Sequence, residues 1–112
     1  MKFPTVAELR NRLVFESESL SDDGQGGTTP SWSATATVWG KLEPLSANQI
    51  NFAASLGQRV SHRVCVREGA VTGLSTAMRI SFESRIFHVQ SFRDIGERDR
   101  FVEIMAMEGA AS

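Results

Sequence analysis

Imidazole and thiolate supply most metal ligands and many bases and nucleophiles, so the two histidines and the one cysteine of this chain come first. His62-x-x-Cys65 has a spacing that metal sites use. The surrounding residues Arg59 to Arg67, however, alternate apolar and polar. Val60, His62, Val64 and Val66 fall on one side, and Arg59, Ser61, Arg63, Cys65 and Arg67 on the other. That is the pattern of a half-buried strand, on which residues three apart face opposite ways and cannot share a metal. Arg63 and Arg67 flank Cys65 and would lower its thiol pKa where they reach it, but no base is placed to use it. Cys65 therefore reads as an inert strand cysteine, and His62 as a core or interface histidine. Asp94, Glu97 and Asp99 are interleaved with Arg93, Arg98 and Arg100, which describes a locally paired, solvated turn and not a carboxylate pair. Gly24-Gln25-Gly26-Gly27 lacks the lysine and the preceding apolar strand of a phosphate loop. No catalytic, cofactor-binding or metal-ligating set emerges, and a protein that is not an enzyme is expected.

Two features are candidates for recognition. Arg59, Arg63 and Arg67 lie about 13 Å apart in sequence steps of four along one strand face, at ~3.3 Å per residue. They form either a basic ladder for an acidic partner or DNA backbone, or a water-facing surface. Trp32 and Trp39 are seven residues apart and face opposite sides of a regular strand. Trp39, in mid-strand, is expected in the core, leaving Trp32 as a candidate interface anchor.

The chain has 112 residues, 41% of them hydrophobic, which fits a single domain spanning residues 1–112. Its net charge of -1 excludes a strongly basic nucleic-acid binder. One cysteine excludes an internal disulfide, and no apolar run is long enough to span a membrane. The start, Met1-Lys2-Phe3-Pro4, lacks a secretory apolar region, so the cytosol is the expected site of synthesis. The near-neutral total hides a segregation. Glu16, Glu18, Asp22 and Asp23 lie in a stretch without a base, whereas eight arginines fall between Arg59 and Arg100. Such separation suits contacts between unlike surfaces of neighbouring subunits.

The elements that position these residues are mostly strands. Arg10 to Glu16, Trp32 to Leu45, Arg59 to Arg67, Met78 to Phe82, Ile86 to Phe92 and Phe101 to Met107 are rich in β-branched, aromatic or alternating apolar residues. Gly40 marks a bulge or bend. Glu83-Ser84 can turn Met78 to Phe82 into a hairpin with Ile86 to Phe92, but it is a poor two-residue turn because neither residue favours φ > 0, so a longer loop or shifted register is the alternative there. Phe101 to Met107 is apolar on both faces, as for a strand with core on one side and a neighbour on the other. Ser46 and Gln49 form a capping box, Leu45 and Ile50 a hydrophobic staple, and Gly57 a stop for one short helix. Thr5 and Glu8 repeat the capping signal. Ser17 to Ser31, acidic and Gly-rich, reads as a long flexible loop, and residues 108–112 as a frayed tail. The fold class is mainly β: a small barrel of five to six strands with one short helix.

The order of these segments is itself informative. Leu9-Arg10-Asn11-Arg12, Asp23-Gly24, Val38-Trp39-Gly40-Lys41-Leu42-Glu43-Pro44-Leu45-Ser46, His62-Arg63-Val64-Cys65-Val66-Arg67, Met78-Arg79-Ile80 and Arg85-Ile86-Phe87-His88-Val89 follow one another along nearly the whole chain. Together they resemble the head-tail joining proteins of long-tailed phages, also called head-closure, stopper or adaptor proteins, with relatives in gene transfer agents. The chain departs from the family pattern at Gly40, where Ala is usual, at Glu83-Ser84 and at Arg67-Glu68. The resemblance implies a small β-barrel that assembles with itself as a ring of six or twelve copies, six favoured. It implies a place in the neck of a virion or phage-like particle assembled in the bacterial cytoplasm. The expected partners are a portal-bound adaptor and a tail terminator or tube protein, with packaged double-stranded DNA passing through the ring and no membrane. The loop between early strands, here Asp22, Asp23, Gly24, Gln25, Gly26 and Gly27, then closes the channel against DNA. Arg59, Arg63, Arg67, Phe101, Met105 and Met107 are the expected interface residues. A second reading is a barrel for single-stranded nucleic acid, using Arg59, Arg63 and Arg67 with Phe87 or Phe92 as stacking platforms. The near-neutral charge counts against it.

Overall fold

A computed structural model describes residues 9–22, 24–95 and 101–109, with the side chains of residues 21 and 22 left aside. Six antiparallel strands and one helix follow in order: β1 (Asn11–Asp22), β2 (Thr28–Pro44), α1 (Ala47–Ser55), β3 (His62–Arg67), β4 (Arg79–Phe82), β5 (Arg85–Ile95) and β6 (Phe101–Gly109). The strands close into a barrel in the order β1-β2-β3-β6-β5-β4, with β4 returning to β1 through Val14↔Ser81, Phe15↔Ile80 and Glu16↔Arg79. Closure removes the sheet edges that would otherwise offer unpaired backbone.

The alternation seen in the sequence fills the interior. Leu13 and Phe15 of β1, Val64 and Val66 of β3, Ile80 of β4, Phe87 of β5 and Ile104 of β6 are almost wholly buried in one cluster. Truncating a ring such as Phe87 to alanine here would cost about 3–5 kcal/mol. The outer faces of β3 and β6 are also covered, by the chain itself. Phe101 and Cys65 pack with Leu9 and Ile95, and Met105 packs beside Leu45, Ala53 and Val60 under α1. The second apolar face of the last strand is therefore a seat for these neighbours. Phe101, 4% exposed, presents no surface to another chain.

The helix forms as its caps dictate. Gln49 N–H donates to Ser46 Oγ (3.3 Å), and Ser46 N–H donates to Gln49 Oε1 (2.9 Å). Leu45 and Ile50 lie in the same apolar cluster, as a staple requires. Gly57, at φ 81°, turns the chain out of the helix.

Five readings are revised or decided by the structure. The segment Ser17–Ser31 is not a loop: pairing continues from Ser17↔Ser33 to Asp22↔Thr28, and only the turn between β1 and β2 lies outside it. Thr28, Thr29 and Trp32 suit a strand, so the glycines act only at the tip, and Ser19 and Ser31 add a hydroxyl contact of 2.9 Å across the pair. The chain thus carries a two-stranded arm. Glu83 and Ser84 do make the two-residue turn, with φ of 48° and 66°; the ladder on both sides holds them there. Gly40 sits in regular pairing with Asn11 and Val66. The bulge lies instead between Phe15↔Ala36 and Glu16↔Ala34, leaving Thr35 as the extra residue, its Oγ1 donating to the Phe15 carbonyl (3.1 Å). Trp39 adjoins Val38, which packs on the core in regular pairing, so Trp39 faces out, 59% exposed and not core; the bulge brings Trp32 to the same outer side. Glu108 and Gly109 belong to β6, paired with Phe87 and Ile86, and so are not a frayed tail. Arg93 to Ile95 extend β5, whereas the turn that follows, the Thr5–Glu8 cap and residues 110–112 lie outside the described residues.

Candidate interaction surfaces

The arm is the first surface. Beyond Glu16, the last β1 residue paired with β4, it runs six residues, or ~20 Å at ~3.3 Å per residue. The molecule measures 52 × 30 × 25 Å, and the long dimension matches a barrel with such an extension. Register places Glu18 opposite Trp32 and Leu20 opposite Pro30 on one face, with Ser17, Ser19, Ser31 and Ser33 on the other. Leu20 is 64% exposed. At the base of the arm Arg79 lies beneath Trp32, 4.2 Å from the ring centre, and its Nε donates to Glu16 Oε1 at 2.7 Å.

The second surface crosses the barrel on the opposite side. Glu103 of β6, almost buried, lies between Arg93 of β5 (3.1 Å) and Arg63 of β3 (3.6 Å), and Arg63 also pairs with Glu43 of β2 at 2.8 Å. The three-arginine stripe accordingly does not survive as a ladder. Arg63 faces acids supplied by the neighbouring strands, Arg59 precedes β3 in an exposed segment, and Arg67 lies beside Trp39. Those acids come from strands distant in sequence, so no local pattern could reveal them.

Above this charged band lies a groove of ≈ 690 Å³ between α1 and the β5–β6 pair. Phe52 of α1, Leu56 at its C-cap, Met105 and Phe92 line it, with Arg63 and Arg93 at its charged side. Phe52 and Leu56 are 68% and 66% exposed. Their i, i+4 spacing, off the face that carries Ile50 and Ala53, was the sequence signal for this ridge. Met107 is partly exposed further along β6. A third depression surrounds Trp39, with Leu9, Val38, Arg10 and Arg67.

The titratable residues singled out in the sequence are separated. Cys65 is buried on the outer face, where burial and then the Glu103 carboxylate push its thiol pKa up, against Arg63. The lowered pKa that its arginine neighbours implied does not arise. His62 sits at the other face, its ring edge-on to Phe87 at 4.9 Å and its Nδ1 2.8 Å from Ser61 Oγ. Among the described residues no group of three His, Cys, Asp or Glu side chains comes together. No described helix is long and apolar enough to cross a membrane. Phe87 is wholly buried, so it offers no stacking platform, and the nucleic-acid reading loses both it and Arg63.

A closed six-stranded barrel with a projecting arm, an apolar groove and ion-paired arginines is the build of an assembly module. The family model for phage head completion proteins matches residues 4–109, and the chain belongs to that family, a structural family and not one of enzymes. Its role is accordingly structural, in the head-tail region of a phage or phage-like particle. Among solved structures, the chain is similar to protein SF1141 from Shigella flexneri 2a, with 20% identity and a TM-score of 0.72 over 97% of this chain and 100% of that one. It is also similar to a chain of the virion of a native gene transfer agent particle, with 19% identity and a TM-score of 0.59 over 91% and 96% of the two chains. A search of curated proteins returns no match.

Proposed function

We propose that the protein forms a ring in the neck of a phage or phage-like particle, between the portal-bound adaptor and the tail. In this reading the tips of the β1–β2 arms close the DNA channel until the tail attaches. The observation that carries it is the arm: an extension ~20 Å beyond the barrel wall whose tip sequence, Asp22 to Gly27, is acidic and glycine-rich. Carboxylates on Glu18, Asp22 and Asp23 repel DNA phosphate, so a set of such tips around a narrow lumen resists the duplex without adhering to it. The glycines at φ 79° and 83°, Gly24 and Gly26, let the tip turn tightly. Membership of the head completion family and likeness to a gene transfer agent virion chain support the same placement.

Replacing Asp22–Thr28 by Asn-Gly shortens the arm and leaves Ser21↔Thr29 flanking a two-residue turn. Particles carrying this variant should incorporate the protein and attach tails, but lose their DNA when assembly is halted before tail joining. Full retention of the genome would refute the gate. Particles whose necks lack the protein altogether would refute the ring.

A further inference from the structure

Resting on the ring reading, we infer that the arm of one copy seats in the α1/β5–β6 groove of the next, so that the gate is positioned by the neighbour as well as by its own barrel. Around the barrel the β1–β2 pair and the β6–β5 pair are diametrically opposed, separated by β3 on one side and β4 on the other. The arm leaves one wall, and the groove opens on the opposite wall. Contact between two unlike surfaces on opposite sides of one chain is heterologous, and repeats head to tail until it closes.

Charge and apolarity match in the same direction. The arm face that carries Leu20 also carries Glu18, in a sequence stretch holding four acids and no base. The groove offers Phe52, Leu56, Phe92 and Met105; of its two arginines Arg63 is balanced by Glu43 and Glu103, and Arg93 is the exposed cation. Arg93 has a 62% exposed side chain and can take a second carboxylate while keeping Glu103. The reach suffices: ~20 Å of arm compares with barrel dimensions of 30 × 25 Å. Leu20 then fills the groove as a single apolar anchor, and the turn beyond it projects past the neighbour.

Cysteine cross-linking of the full chain in a Cys65→Ala background tests this. Leu20, Phe52 and Phe92 are all exposed, so cysteine there leaves the core intact. A chain carrying both Leu20→Cys and Phe92→Cys should oxidise to a ladder of multimers, whereas a mixture of the two single variants should give dimers only. Leu20→Asp should weaken self-association in sedimentation at least tenfold. A double-cysteine chain that stops at dimers overturns the head-to-tail contact. Oligomers that form without cross-links, and are indifferent to Leu20→Asp, overturn the contact but leave the ring. A chain that stays monomeric up to about 1 mM overturns the contact, and the ring then rests on particle imaging alone.

Discussion

The guanidinium of Arg79 lies 4.2 Å from the centre of the Trp32 ring while its Nε holds Glu16 at 2.7 Å. Arg79 stands on β4, Glu16 on β1 and Trp32 on β2, so one nearly buried cation ties both strands of the arm to the barrel at the point where the arm departs. A two-stranded ribbon is only marginally stable alone, so its direction depends on such a tie.

Arg79→Ala removes the pairing of Glu16 with Arg79 and the platform under Trp32. A charge-assisted hydrogen bond together with a desolvated cation–π contact supports a loss of about 2–3 kcal/mol in global stability. Trp32→Ala, which keeps the ion pair, should cost less globally. Hydrogen exchange should quicken in residues 17–20 and 29–33 in both variants. Unchanged protection of the arm would show that the tie does not hold it.

The turn at Glu83 and Ser84 gives the opposite sign. Both residues occupy φ > 0, which costs a residue with a Cβ, and the ladder Arg79↔His88 to Phe82↔Arg85 fixes the register around them. Glu83→Asn with Ser84→Gly places the residues that such a turn favours. A gain of about 1 kcal/mol is expected, read as a rise in Tm of about 4–8 °C in a thermal melt. A fall in Tm would mean that Glu83 or Ser84 contributes more through side-chain contacts than it costs in backbone strain.

Much of this architecture was legible because strand alternation and capping are local. The Val60 to Val66 pattern, the Ser46–Gln49 box and the six strand segments all reappear in the fold. The arm was missed because its glycines were weighed over the whole of Ser17–Ser31, although they occupy only the tip. A mid-strand position does not say which face is core: Ala36, Val38 and Leu42 take the inner face of β2, which leaves Trp39 outside, and the bulge at Thr35 that turns Trp32 to the same side leaves no mark in composition. The interaction surfaces were the least legible part. Glu43 and Glu103 reach Arg63 only once β2 and β6 flank β3, and the groove exists only where α1 leans over β5 and β6.

Glu103 is 6% exposed with an arginine on either side. Glu103→Ala strands Arg63 with Glu43 alone and leaves Arg93 to solvent. Because Arg93 is largely exposed, the screened Arg93–Glu103 pair contributes little, and most of the loss comes from the Arg63 side. A destabilisation of about 1–2 kcal/mol is expected in urea unfolding. Glu103→Gln, which keeps the shape and one acceptor, should recover part of it. A Glu103→Ala variant as stable as the parent would mean that the band is solvated and not structural.

Beside Phe87 of the buried core cluster, His62 is a group that responds to acid. Burial pulls the pKa of His62 below its ordinary 6.5; Glu108 opposes this shift and Arg85 reinforces it. Arg85 Nη2 stands 3.3 Å from His62 Nε2 and can only donate, so Nε2 must accept and the proton of the neutral ring sits on Nδ1, facing Ser61 Oγ. Ser61 Oγ in turn accepts the Glu108 N–H of β6 at 2.8 Å. With a lowered folded pKa, the unfolded chain binds more protons at this residue, so stability falls as pH drops below about 6.5 toward the folded value. Above 6.5 the contribution is complete. Glu108, whose pKa is lowered mainly by the hydrogen bond from Arg85, loses its contribution only below its ordinary 4.5, a separate window. Thermal melts at pH about 7.5 and about 5 should therefore show a drop in Tm that His62→Gln reduces. An equal drop in parent and variant would assign the acid sensitivity to other groups.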